Sequence, residues 1–70
     1  MQIGVVKWFN ANKGFGFIQP EAGGADVFVH VSAIERAGLL AFVEGQKVGY
    51  ELLVDKRNGK FSADMLQLQD

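Results

Sequence analysis

The 70-residue chain contains no cysteine, one histidine, one proline and one tryptophan. Without a thiol there is no disulfide, no thiolate nucleophile and no cysteine zinc site, and a lone histidine leaves a metal short of ligands. No metal or cofactor is expected, and a reducing compartment fits. Long apolar runs are missing as well: none approaches the roughly 18 residues of a membrane span. The N-terminal Met1-Gln2-Ile3-Gly4 lacks the basic region and long apolar stretch of a signal peptide. A cytoplasmic protein without a membrane partner is expected. What remains is an ordinary globular composition, 49% hydrophobic and 21% charged with a mean hydropathy of +0.09. A chain this short buries only about 60% of its unfolded surface and has room for one core. One domain over residues 1–70 is therefore expected.

Charge of one sign is also scarce, since the net charge is −1 and the pI near 5.7. A strongly basic domain, the usual electrostatic footprint of a nucleic-acid binder, is absent. The total conceals a pattern, however. Residues 1–20 carry Lys7 and Lys13 with no acid, whereas residues 21–55 set Arg36 and Lys47 against Glu21, Asp26, Glu35, Glu44, Glu51 and Asp55. Lys56, Arg57 and Lys60 follow as a second basic segment. A polyanion would meet the two basic segments and avoid the acidic middle. Lys56, Arg57 and Lys60 also have a plainer reading as a solvated hairpin tip, which the pattern favours.

Nine glycines divide the chain into short apolar runs. Gln2 to Asn10, rich in β-branched and aromatic residues, reads as a strand ending in the turn Ala11-Asn12-Lys13-Gly14. Phe15 to Gln19 and Asp26 to Val31 read as a hairpin around Pro20 and Glu21-Ala22-Gly23-Gly24. Lys47 to Val54 and Lys60 to Leu68 read as a second hairpin around Asp55-Lys56-Arg57-Asn58-Gly59, whose Asn-Gly suits positive φ. Five short strands with tight turns predict an all-β fold, and closing them into a barrel leaves no open sheet edge. Between the hairpins, Ser32-Ala33-Ile34-Glu35 matches a capping box ahead of a helix over Ala33 to Val43. The competing reading, a 3₁₀ turn at Ser32 to Ile34 followed by a long loop to Gly45, is preferred on the resemblance described below.

The period of two along Lys13-Gly14-Phe15-Gly16-Phe17-Ile18-Gln19 puts Lys13, Phe15, Phe17 and Gln19 on one face. In the next run Asp26 and His30 share the face of Phe28. Were the aromatic face the core, these polar side chains would be buried with it, at a cost of several kcal/mol. The other parity buries Ile18, Val27, Val29 and Val31 without a polar group. Phe15, Phe17 and Phe28 are therefore expected at the surface beside Lys13 and His30. Exposed rings flanked by lysines suit unpaired bases, each stack contributing about 1–3 kcal/mol. Trp8 is expected to join them, although the first strand has aliphatics in both phases, Ile3 and Val5 against Val6. A bend in that strand is needed to bury Val6 and still expose Trp8.

Taken together, Gly4-Val5-Val6-Lys7-Trp8-Phe9-Asn10, Lys13-Gly14-Phe15-Gly16-Phe17-Ile18, Asp26-Val27-Phe28-Val29-His30 and Glu44-Gly45-Gln46-Lys47-Val48 resemble the bacterial cold-shock protein family across essentially the whole chain. The second and third segments look like that family's two ribonucleoprotein motifs. The resemblance implies a five-stranded antiparallel OB-type barrel that binds single-stranded RNA and DNA on the face of its first three strands. It makes Trp8, Phe15, Phe17, Phe28 and His30 the stacking residues, Phe9 a partly exposed neighbour, and Lys7, Asn10, Lys13 and Asp26 polar contacts. It further implies an ATP-independent RNA chaperone, with effects on transcription and translation under cold or other stress. Two departures stand out: Val31 occupies a place that usually holds an aromatic after the histidine, and Leu39 replaces a common loop aromatic. Lys60-Phe61-Ser62-Ala63-Asp64-Met65 also differs from the commoner ending. A shorter or weaker platform is the expectation that follows.

Other readings fail on the residues. Gly14-Phe15-Gly16 is not a dinucleotide fingerprint, because Gln19 stands where the third glycine is required and no βαβ unit follows. Asp26, His30 and Ser32 lie along one strand with no reason to converge, no pocket is expected in so small a chain, and neither an enzyme nor a small-molecule substrate is expected. An RNA-recognition-motif fold needs two helices where one segment could form one. A peptide-docking barrel remains the rival of a different class, to be told apart by indifference to salt and oligonucleotides. A monomer is the default, with a strand-exchanged dimer as the alternative.

Overall fold

The computed structural model describes residues 1–39, 42–54, 56 and 59–69. Arg57 of the basic segment, Asn58 of the Asn-Gly turn and two residues of the 33–43 segment lie outside them. Strands β1 (Gln2–Asn10), β2 (Phe15–Pro20) and β3 (Val27–His30) precede a helix α1 (Val31–Arg36), followed by β4 (Lys47–Val54) and β5 (Phe61–Leu68). The strands close into a barrel in the order β1-β2-β3-β5-β4. β1 joins its two halves, pairing through Gly4–Asn10 with β2 and through Gln2–Val5 with β4. The expected antiparallel pairing holds for four of the five contacts. β3 and β5 instead run parallel where Phe28 faces Ser62, because α1 and β4 intervene in the chain between them.

The core contributed by β2 and β3 is aliphatic, as parity predicts. Val6, Ile18, Val27, Val29, Val48, Tyr50, Ala63 and Leu66 fill the barrel, and Ala33, Ile34 and Phe42 close one end of it. Val31, expected at the end of a buried strand, is only half-buried and is the first residue of α1.

The segment after β3 corrects both readings of it. Helix α1 starts at Val31, one residue before the capping-box serine, and its N-cap is His30, whose side chain accepts the backbone N–H of Ser32. The helix ends after six residues because Gly38 adopts φ +72°. The N–H of Gly38 then donates to Glu35 O and that of Leu39 to Ile34 O, which satisfies the last carbonyls in a Schellman motif. Leu39 and Ile34 both pack on the core. No helix among the described residues is long and apolar enough to cross a membrane.

Candidate nucleic-acid interface

Strand register builds the outer surface as a grid. Trp8 of β1 pairs with Phe17 of β2, which pairs with Phe28 of β3; one step along, Asn10 pairs with Phe15, which pairs with His30. Five of these six positions carry rings, drawn from three strands. Their centroids lie 5.3 Å apart for Trp8 and Phe17, 5.6 Å for Trp8 and Phe15, 5.6 Å for Phe15 and Phe28, 5.9 Å for Phe17 and Phe28, and 6.5 Å for Phe28 and His30. Most contacts are edge-on or tilted, the arrangement that ring quadrupoles favour. Each phenylalanine is half-buried because its neighbours shield its flanks, while Trp8 is 36% exposed and His30 is exposed. The three phenylalanines are thus less open than parity alone suggested.

Trp8 reaches this grid through a bulge. Val6 pairs with Ile18, but Trp8 pairs with Phe17, so Lys7 is the extra residue. An uninterrupted strand would set Lys7 opposite Phe17 and turn Trp8 inward over Gly16. The bulge lets Val6 be 1% exposed and Trp8 face out, which is the bend that the conflicting phases of β1 require. Phe9 then points the other way, against the core and edge-on to Phe42 at 5.6 Å. It shares no ring contact with the five. Gly16 permits the close approach of β1 to β2 where it pairs with Phe9, since a Cβ there would lie 2.8 Å from the Phe9 Cα.

The polar residues divide. The Lys7 ammonium donates to the Asp26 carboxylate at 2.8 Å, so the two form an exposed pair beside Trp8. Asn10 Oδ1 accepts the backbone N–H of Lys13 at 3.0 Å, and Gly14 N–H donates to Asn10 O at 2.9 Å, so Asn10 holds the β1–β2 turn. Lys13 sits exposed on that turn, at the edge of the grid.

His30 and Ser32 do converge, contrary to the expectation for residues along one strand. His30 Nδ1 lies 2.9 Å from Ser32 Oγ and accepts Ser32 N–H at 3.1 Å, because the chain turns into α1 at Val31. The contact is a helix cap, and Asp26 is engaged elsewhere by Lys7. Sequence reasoning missed this second use of His30. Open grooves also exist, about 390 Å³ beside Arg36 and Met65 and about 310 Å³ between Pro20 and Phe61. Among the described residues no group of three or more His, Asp or Glu side chains could hold a metal ion.

Comparison with known sequences agrees with this geometry. A family model described as the 'Cold-shock' DNA-binding domain matches residues 2–68. The chain is similar to a probable cold shock protein of Sinorhizobium fredii, 66% identical over 67 residues that cover 96% of this chain and 97% of the relative. It is 61% identical, over 96% of this chain and 97% of the relative, to the cold shock protein CspA of Rhizobium meliloti. A cold shock-like protein of Rickettsia bellii is 52% identical over 96% of this chain and 93% of its own.

Proposed function

Because the chain belongs to the 'cold-shock' DNA-binding domain family, we propose that it binds single-stranded RNA and DNA by stacking unpaired bases on Trp8, Phe15, Phe17, Phe28 and His30. The observation that carries this reading is the ring grid, in which three strands present five aromatic side chains on one outer face while their aliphatic residues fill the barrel. Stacking uses the π-face that every base has, so it reads little sequence. It also needs bases free of partners, so duplex is excluded. Lys7 and Lys13 supply phosphate attraction, Lys7 by exchanging its Asp26 partner. With so few cations the salt dependence is shallow, about −0.7 in log affinity per log salt for each phosphate neutralised on a single strand.

Such binding needs no ATP to act as an RNA chaperone in the cytoplasm. A ligand at about 100 times its Kd stabilises the state it selects by about 2.7 kcal/mol. That compares with about 1.4 kcal/mol for an average base-pair step. One bound protein therefore offsets about two steps, enough to open weak hairpins and leave long duplexes intact. Effects on transcription and translation under cold stress follow from that bias.

Trp8, the only tryptophan, tests the reading without a label. Titration with a short oligothymidylate should quench its fluorescence strongly, and a duplex of equal length should not. Absence of quenching by the single strand, together with an emission maximum typical of a buried indole, overturns the platform and favours a peptide-docking barrel.

A further inference from the structure

Across β3 from the row Trp8, Phe17, Phe28 lies the start of β5. The backbone of Phe28 faces Ser62 of β5, and the residue before Ser62 is Phe61, 55% exposed. One strand across and one residue along places Phe61 about 6 Å from Phe28 at the backbone. Alternation puts Phe61 on the same side of β5 as the buried Ala63. Phe61 is the first residue of its strand and pairs with exposed Val54, so its ring lies at the barrel mouth. There it lines the open groove of about 310 Å³ with Leu52, Tyr50, Val27, Pro20 and Asp26.

An exposed ring beside an exposed leucine marks a binding surface, and two observations identify what it binds. The first is continuity. Asp26 borders the groove and, through its 2.8 Å contact with Lys7, also borders the grid beside Trp8, so the groove and the grid share an edge. The second is charge. Among the described residues, the carboxylates near the groove are ion-paired: Asp26 with Lys7, Glu21 with Lys47 at 3.5 Å and Glu51 with the N-terminal amine at 3.7 Å. Exposed Lys56 stands at the same end of the β4–β5 hairpin. A second copy docked symmetrically on this face would bring like charges together, whereas a polyanion meets attraction.

We propose that Phe61 and the groove beneath it form a further nucleobase subsite, which takes the nucleotide that follows those stacked on the grid and lengthens the single-stranded segment held. The proposal rests on the nucleic-acid reading of the grid. Apolar walls and a stacking ring accept any base, so the subsite adds length rather than sequence preference.

The test is a series of oligothymidylates of increasing length, from about four to about ten nucleotides, titrated by Trp8 quenching against the wild type, Phe61→Ala, Phe61→Leu and Phe61→Tyr. In the wild type, affinity should rise with length for one nucleotide beyond the point where the alanine variant levels off. At that length Phe61→Ala should bind about tenfold more weakly. The shortest probe should bind both proteins equally. Phe61→Tyr should keep the gain, and Phe61→Leu, apolar but without a ring, should lose most of it. Equal affinities of Phe61→Ala and wild type at every length overturn the subsite and leave the grid standing. So does a wild-type dimer in sedimentation that Phe61→Ala abolishes without any change in binding, which would assign the face to self-association. Failure of the wild type to bind any probe overturns the grid itself.

Discussion

Trp8 stands opposite Phe17 only because Lys7 has no counterpart on β2, so the bulge and the ring surface are one feature. Phe17 lies at the centre of the row, touching Trp8 at 5.3 Å and Phe28 at 5.9 Å. Phe17→Ala should weaken binding to an oligothymidylate by about 1–3 kcal/mol. Calorimetric titration measures it, with a urea melt of the same variant to confirm that the barrel is intact.

His30 has two roles that separate by substitution. Its ring belongs to the grid, and its Nδ1 caps α1 through Ser32 N–H at 3.1 Å. Asparagine is a good N-cap and carries no ring, so His30→Asn should keep stability within about 0.5 kcal/mol, whereas His30→Ala should lose about 1 kcal/mol. Both variants should bind single strands more weakly to a similar degree. Unfolding and titration data on the pair check it, and equal stability of the two variants would remove the cap from the account.

Most of the ring surface was legible in the sequence, for a physical reason. Strand parity couples the identity of each residue to a face, and Ile18, Val27 and Val29 on one phase with Phe15, Phe17, Phe28 and His30 on the other leave a single consistent assignment. Even the bulge was foreshadowed by the conflict between Val6 and its neighbours. What escaped were contacts set by tertiary geometry. The Lys7–Asp26 pair joins residues 19 apart that only the barrel brings together. The His30 cap depends on where the chain leaves the sheet, one residue earlier than the Ser32 motif suggests. Gly38 was a readable stop signal for α1, six residues into the capping-box helix, and its meaning depended on placing the start correctly. The parallel pairing of Phe28 with Ser62 follows from barrel closure, which local pattern does not encode.

Gly16 carries the close pairing of β1 with β2, with the Phe9 Cα 2.8 Å from where a Cβ would sit. The neighbour is backbone and cannot rotate away, so Gly16→Ala should destabilise the protein by about 1–3 kcal/mol, as overpacking does. It should also displace Trp8, whose emission in the free protein would shift. A denaturant melt reads the first effect and a fluorescence spectrum the second.

Val31 sits beside the β1–β2 turn, its N–H donating to Gly14 O at 2.8 Å and its side chain half-buried next to His30. A ring there would extend the Phe15–His30 row by one position. Val31→Phe should tighten binding to an oligopyrimidine by about 1 kcal/mol, the lower end of a single stack. Unchanged affinity would mean that the bound strand does not pass over this turn.

Tyr50 is 1% exposed, and burial raises its phenol above the ordinary value of 10.0 because the phenolate is poorly solvated there. The neutral form is the one the fold accommodates, so the contribution of Tyr50 to stability is complete below the unfolded value. It is lost as pH rises through that value toward the higher folded one. Tyr50→Phe removes the titration and keeps most of the packed volume. The stability of the wild type relative to Tyr50→Phe should therefore be constant from neutral pH to about pH 9 and should fall above about pH 10. Urea melts of the two proteins at matched pH measure the difference, from which the titration of the lysines cancels. A difference that stays flat through the alkaline range would show that the Tyr50 hydroxyl ionises as readily in the barrel as in the unfolded chain.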